Sequence, residues 1–184
     1  MNKKKIRNLV LLLVVLLLLA GVLLFLKKNE HAGFMQDNEE QQEEVAATQI
    51  PEDEITEIEI IQSDDTITLI REKDGWSFEE GSQETVDEAK VTTFLDNLCE
   101  LNADQKIDVE AAMEDYGISD ASTVITLQLE NDMYVFRLGD YNFMVGGYYV
   151  NVNDDKEVYL VDSSTYNLMN KDRAYFTAEQ EAEN

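Results

Sequence analysis

Histidine, cysteine and proline each occur once in the 184 residues, as His31, Cys99 and Pro51. Their scarcity excludes several chemistries. A Ser-His-Asp or Cys-His nucleophile needs a histidine placed beside it, and none follows His31. Structural zinc is held as a rule by cysteine and histidine, and one of each, in different segments, cannot build such a site. A single cysteine also forbids an intramolecular disulfide, so an exported domain of this sequence would rest on its core alone. Neither G-x-x-x-x-G-K-[ST] nor G-x-G-x-x-G is present, and Gly146-Gly147 is a lone pair with no helix pattern behind it. Phosphate-cradling loops are thus missing, and no cofactor-binding pattern is found.

Basic charge is scarce too, and unevenly spread. Six of the 14 basic residues and none of the 39 acidic ones lie in residues 1–28, which leaves 8 basic against 39 acidic residues, a net −31, for the remainder. Phosphate recognition needs a positive surface, so neither nucleic acid nor anionic lipid is expected as a ligand of that acidic part. A soluble, self-repelling surface is the plainest reading of the charge.

What is present begins with Leu9 to Leu26, LVLLLVVLLLLAGVLLFL, a run without a charged residue. As a helix it would span about 27 Å, close to one bilayer core. It is apolar all round, unlike a helix on the surface of a soluble core. A cleavable signal has a shorter apolar centre, about 7–15 residues, and small residues at its cleavage site. Here Lys27 and Lys28 follow directly, Glu30 stands where a small residue should precede Ala32, and no cysteine lies near for lipidation. The run reads as an uncleaved anchor. Lys3, Lys4, Lys5 and Arg7 before it outnumber the two lysines after it, which places the N-terminus in the cytoplasm and exports the rest.

The expected organisation is a basic cytoplasmic segment (1–8), the transmembrane anchor (9–26), an acidic stalk (27–52), an exported domain (53–176) and an acidic tail (177–184). The stalk, with NEEQQEEV at its centre, buries too little to offset the entropy of ordering. His31 lies in it without partners.

From Ile55 the apolar period becomes two: Ile58 and Ile60 alternate with Glu57 and Glu59, and Ile67 and Leu69 with Thr66 and Thr68. Asp64-Asp65 marks a turn, and Asp74-Gly75 a hairpin leading to a strand with Trp76 and Phe78. Thr85 and Glu88 have capping-box spacing before a helix whose stripe is Val91, Phe94, Leu95 and Leu98. Cys99 joins that stripe as a core thiol, with no basic group placed to lower its pKa. A connector follows, with KIDV as a short strand and Glu110 to Tyr116 as a short helix ended by Gly117. Then come STVITLQLE, a turn at Asn131-Asp132, and a strand ending at Gly139, where a positive φ is expected. YYVNVN, a turn at Asp154-Asp155 and EVYLVD complete a meander, and Asp162 or Ser163 caps a last short helix. The fold class is α+β: antiparallel hairpins and meanders with two main helices, preceded by one N-terminal transmembrane helix. Both halves run strands first and helix last, which allows a duplicated β-β-β-α unit.

The anchor, ITEIEI, the hairpin leading to Trp76 and the capped helix together resemble the domain-of-unknown-function 4340 family. So do Tyr116-Gly117-Ile118, Leu138-Gly139-Asp140, the YYV strand and Val158 to Asp162, over roughly Ile55 to Phe176. One departure is Ala121, where the family often carries a proline. The resemblance implies a membrane-anchored extracytoplasmic α+β domain without established catalytic residues, associated with ABC-type transport systems. No functional residue carries over.

Two sets of side chains stand out in the exported part. Tyr141, Phe143, Tyr148 and Tyr149 form a local aromatic group. Strand alternation turns half of it to the core and leaves half as a patch for a protein partner. Asn151, Asn153, Asp154 and Asp155 offer oxygen ligands for calcium, without the glycine and distal glutamate of an EF-hand loop; a plain turn explains them as well. The function expected is that of a single-pass, non-enzymatic binding or accessory domain whose protein partner is an ABC-type transporter subunit. Two alternatives stay open: an envelope enzyme acting on glycans through paired carboxylates, and a calcium-dependent structural module.

Overall fold

The computed structural model describes residues 44–63, 65–79, 82–109 and 111–179. The expected anchor, the basic N-terminus, His31, most of the stalk, Asp64, Glu110 and the residues from Gln180 onward lie outside them. Among the described residues no helix is long and apolar enough to cross a membrane.

In chain order the strands are β1 (Val45–Ala46), β2 (Ile55–Gln62), β3 (Asp65–Glu72), β4 (Gly75–Phe78), β5 (Asn102–Ala103), β6 (Gln105–Asp108), β7 (Thr123–Leu129), β8 (Met133–Asn142), β9 (Gly147–Val152) and β10 (Glu157–Val161). The helices are α1 (Glu88–Cys99), α2 (Ser163–Met169) and α3 (Arg173–Phe176). Eight strands make one antiparallel sheet in the order β4-β3-β2-β7-β8-β9-β10-β6, and β1 pairs with β5. The architecture is α+β, as the alternating pattern anticipates.

The register follows from the apolar period. Ile58 and Ile60 lie opposite Leu69 and Ile67 on one side and Leu127 and Ile125 on the other, all buried. A slip by one residue would exchange them for Glu57 and Glu59. The α1 stripe, Val91, Phe94, Leu95, Leu98 and Cys99, belongs to the same buried core. The first half runs β2-β3-β4-α1 as expected; the second has four strands, β7-β8-β9-β10, before α2.

Three details differ from the expectation, each for a local reason. The N-cap of α1 is Asp87, whose carboxylate accepts from the Lys90 N–H at 3.3 Å. Thr85 is occupied elsewhere: its carbonyl accepts from the Ala178 N–H at 2.8 Å, next to a Val86–Thr177 bridge. Glu88, freed from a capping box, accepts the Trp76 N–H at 2.8 Å and ties the helix start to β4.

Secondly, the fold reaches beyond 53–176 at both ends. The last carbonyls of a helix lack intrahelical partners, and residues before Glu52 supply them. Thr48 donates to the Leu98 carbonyl at 2.6 Å and accepts from the Leu101 N–H at 3.0 Å, while Ile50 N–H donates to the Cys99 carbonyl at 2.9 Å. Thr48 and Ile50 are buried. At the other end Thr177 bridges Val86 and the Ala178 N–H donates to the Thr85 carbonyl, just past Phe176, whose ring meets Phe94 edge-on with centroids 5.1 Å apart.

Thirdly, the connector is a strand followed by a single 3-10 turn, Met113–Tyr116, closed by Gly117 at φ 73°. Around Ala121, Ser119 and Ser122 hold the bend: the Ser122 hydroxyl donates to the Gly117 carbonyl and accepts from the Ser119 N–H, each at 2.9 Å. Cys99 is buried, with its thiol pushed up to about 12 by desolvation and then by Glu52, Asp96 and Glu100. It is a core thiol, as its place on the stripe suggests.

Candidate functional site

The aromatic group lies on the β8–β9 hairpin, whose chain reversal runs through Phe143, Met144, Val145 and Gly146. Tyr141 is paired with Tyr148 and Asn142 with Gly147, but the register shifts between Leu138 and Tyr141. Three steps on β8 there match two on β9, from Val150 to Tyr148, so β8 is bulged at Gly139-Asp140. The bulge changes the parity of β8. It brings Tyr141 to the same face as Leu138, beside Tyr148. Gly139 does not have the expected positive φ. Its need is space: a Cβ there would collide with the Tyr116 carbonyl oxygen.

On the helix face the rings are stacked in series. Phe143 meets Tyr141 edge-on at 4.9 Å, Tyr141 meets Tyr148 at 4.9 Å, and Tyr148 lies flat on Tyr166 of α2, with centroids 3.8 Å apart and planes 14° from parallel. Tyr149 points to the opposite face, where Tyr116 meets it edge-on at 5.0 Å. The Asn142 side-chain amide donates to the Tyr149 hydroxyl, and its oxygen accepts the Met144 N–H at 2.8 Å. Gly146 N–H donates to the Asn142 carbonyl at 2.8 Å, and Gly146 sits at φ 77°, so one glycine takes the left-handed position of the loop.

The base of the hairpin is thus packed on both faces, while its apex is bare. Phe143 is 90% exposed, Met144 94% and Val145 54%. Of the four expected aromatics, the structure brings Tyr141, Phe143 and Tyr148 together and separates Tyr149 from them. Met144 and Val145 complete the apex, and Tyr116 and Tyr166 support it. These two are distant in sequence, so no local pattern could have marked them.

Three of the four calcium candidates have side chains engaged within the hairpin network, and the fourth, Asp155, is exposed. Asn153 accepts the Val135 N–H through its side-chain oxygen at 3.0 Å, and Asp154 is paired with Arg137 at 2.6 Å. Asn151 is buried and donates to the Asp155 and Glu157 carbonyls, both at 2.8 Å. Asn153 and Asp154 take φ of 57° and 53°, the conformation of a tight hairpin turn. Among the described residues no group of three or more His, Cys, Asp or Glu side chains is gathered to hold a metal ion.

Among the described residues, Asp104 and Asp162 are the carboxylates whose titration is shifted. Burial, then Asp162 and Glu44, raise Asp104, whereas hydrogen bonds from Ser164 and Thr165 lower Asp162. Two acids pushed apart in this way can divide acid and base roles. Here the cause is structural: Asp162 is the N-cap of α2, accepting the Ser164 N–H at 2.6 Å and the Thr165 N–H at 2.9 Å.

The β8 bulge at Gly139-Asp140 and the Tyr116-Gly117-Ile118 connector lie within a match to one family model. It covers residues 76–182, from β4 to the C-terminal region. The chain belongs to the family described as Domain of unknown function (DUF4340). No curated protein and no solved structure matches it. The DUF4340 match begins at Trp76, so β2 and β3 precede it, although they share the sheet with the matched strands.

Proposed function

We propose that this DUF4340 chain is a single-pass, membrane-anchored extracytoplasmic domain that works by binding rather than by catalysis. Its contact element is the β8–β9 hairpin, and its partners are membrane subunits of an ABC-type transport system. One observation carries the reading: three adjacent apolar side chains, Phe143, Met144 and Val145, stand in water on a hairpin whose base is held by ring packing on both faces. Exposed apolar groups clustered on a rigid support mark contact surfaces. The sequence supports the rest: the Leu9 to Leu26 run for the anchor, the lysine distribution for orientation, and, for the transport association, what the resemblance of its motifs implies.

Crosslinking of the full-length chain in its native membrane, followed by affinity capture and mass spectrometry, tests this. Recovery of transporter membrane subunits, lost in Phe143→Asp, is the expected outcome. Recovery of wall glycan without protein overturns the reading in favour of a glycan-acting domain. A melting temperature that rises with added calcium would support the calcium-dependent module instead.

A further inference from the structure

We infer that the apex Phe143-Met144-Val145 rests in the surface of the bilayer, as a second and reversible membrane contact of the chain. The inference rests on the anchored reading above and adds what the apex touches.

Charge favours lipid at this one place. From Tyr141 to Asn153 there is no charged residue, in a chain of net charge −25. An acidic domain can bring this hairpin against a bilayer without dehydrating an ion, which is costly. Size points the same way. Three projecting side chains offer at most roughly 400–500 Å² of apolar surface, short of the about 800 Å² that each partner of a stable protein complex buries. A tethered contact needs less, because the tether supplies a high effective concentration.

The surroundings of the apex suit the headgroup layer. Tyr141 and Tyr148, half-buried behind it, carry an apolar ring and a polar tip, the combination enriched at membrane–water interfaces. Residues 27–44 join the anchor run to β1, and 18 residues reach up to about 60 Å when extended. The apex is already ordered by the Asn142 and Gly146 hydrogen bonds, so little conformational freedom is lost on insertion. Seated in this way, the hairpin would hold Tyr141 and Tyr148 at membrane level, where embedded subunits could meet them.

The test uses the full-length chain in vesicles of phosphatidylcholine. Met144→Cys carries an environment-sensitive fluorophore, and Thr92→Cys, exposed on α1, carries it as control. Cys99, buried and with its thiol pushed up to about 12, does not compete for label. Spin-labelled lipid is expected to quench the fluorophore at 144 several-fold more than at 92, and a further Phe143→Asp to remove the difference. Equal, weak quenching at both positions in a chain that floats with the vesicles overturns the inference and leaves the anchor standing. A chain that does not float overturns both. In native membranes, a photo-crosslinker at Val145 that captures protein instead of lipid overturns the bilayer assignment alone.

Discussion

The sheet reverses direction at its hairpins in two chemically different ways. β3–β4 turns through Lys73-Asp74, β7–β8 through Glu130-Asn131-Asp132 and β9–β10 through Asn153-Asp154-Asp155-Lys156. These apices are charged or amidic, and Asn153 and Asp154 also supply the positive φ that their turn requires. The β8–β9 apex instead reads Phe-Met-Val-Gly. Gly146 alone takes the left-handed position there, so turn geometry places no demand on the three residues before it. Water would favour polar side chains at all of these places. The polar turns therefore follow from folding, while the apolar apex is not required by the turn and suits the proposed contact.

The contrast holds only if the hairpin's base carries its stability and its apex carries none. The largest expected effect is at the base. Tyr148→Ala removes a ring that packs on Tyr141 and lies flat on Tyr166, and should cost about 2–4 kcal/mol in chemical denaturation. A loss below about 1 kcal/mol would mean that the stack does not hold the hairpin. Gly139→Ala comes next, at about 1–3 kcal/mol, because a Cβ there meets the Tyr116 carbonyl and the connector must move. Gly146→Ala separates sterics from backbone: its nearest obstacle is the Tyr141 hydroxyl at 3.9 Å, so its cost of about 1–2 kcal/mol reflects φ alone.

Much of the core under the sheet was legible in the sequence. The period-two runs place Ile58, Ile60, Ile125 and Leu127, and the helical stripe places Phe94 and Leu98, because a buried face imposes its period on the chain. What escaped is what periodicity cannot encode. The bulge at Gly139-Asp140 reverses the parity of β8, so alternation alone could not say which aromatics share a face. The Tyr148–Tyr166 stack joins a strand to a helix whose seven residues give a weak pattern. Thr48 and Ile50 sit beside an acidic low-complexity run, and their role, satisfying the carbonyls at the end of α1, leaves no trace in hydropathy. The charged turns were readable as turns, and Phe143 as an aromatic in a loop. That Met144 and Val145 complete a bare apex was not.

A smaller effect tests the support of the stack through pH. Hydrogen bonds from Ser164 and then Thr165 lower the Asp162 carboxyl below its ordinary 3.8. A carboxylate depressed in the folded state contributes stability that is present above its unfolded pKa and lost as pH falls through the folded one. Asp162→Asn keeps a capping oxygen but not the charge. The native chain should exceed the variant by up to about 1 kcal/mol at neutral pH. The difference should vanish as pH falls below 3.8, and denaturation series at several pH values measure this. A gap that persists in acid would show that α2, and Tyr166 with it, is not held by the charged cap.

The smallest expected effect on stability is the one that decides the comparison. Phe143→Ser removes a ring that is 90% exposed and touches the fold through one edge of Tyr141. Surface changes of this kind stay within about 0.5 kcal/mol, so melting should be unchanged while capture of partners and quenching by lipid both fall. If the variant instead unfolds at markedly lower denaturant, the apex is a packing element like the rings beneath it. The division of the hairpin into a structural base and a contact apex would then fail. If stability and contact both stay as they are, Met144 and Val145 carry the contact, and the same measurement on Met144→Ser separates the two.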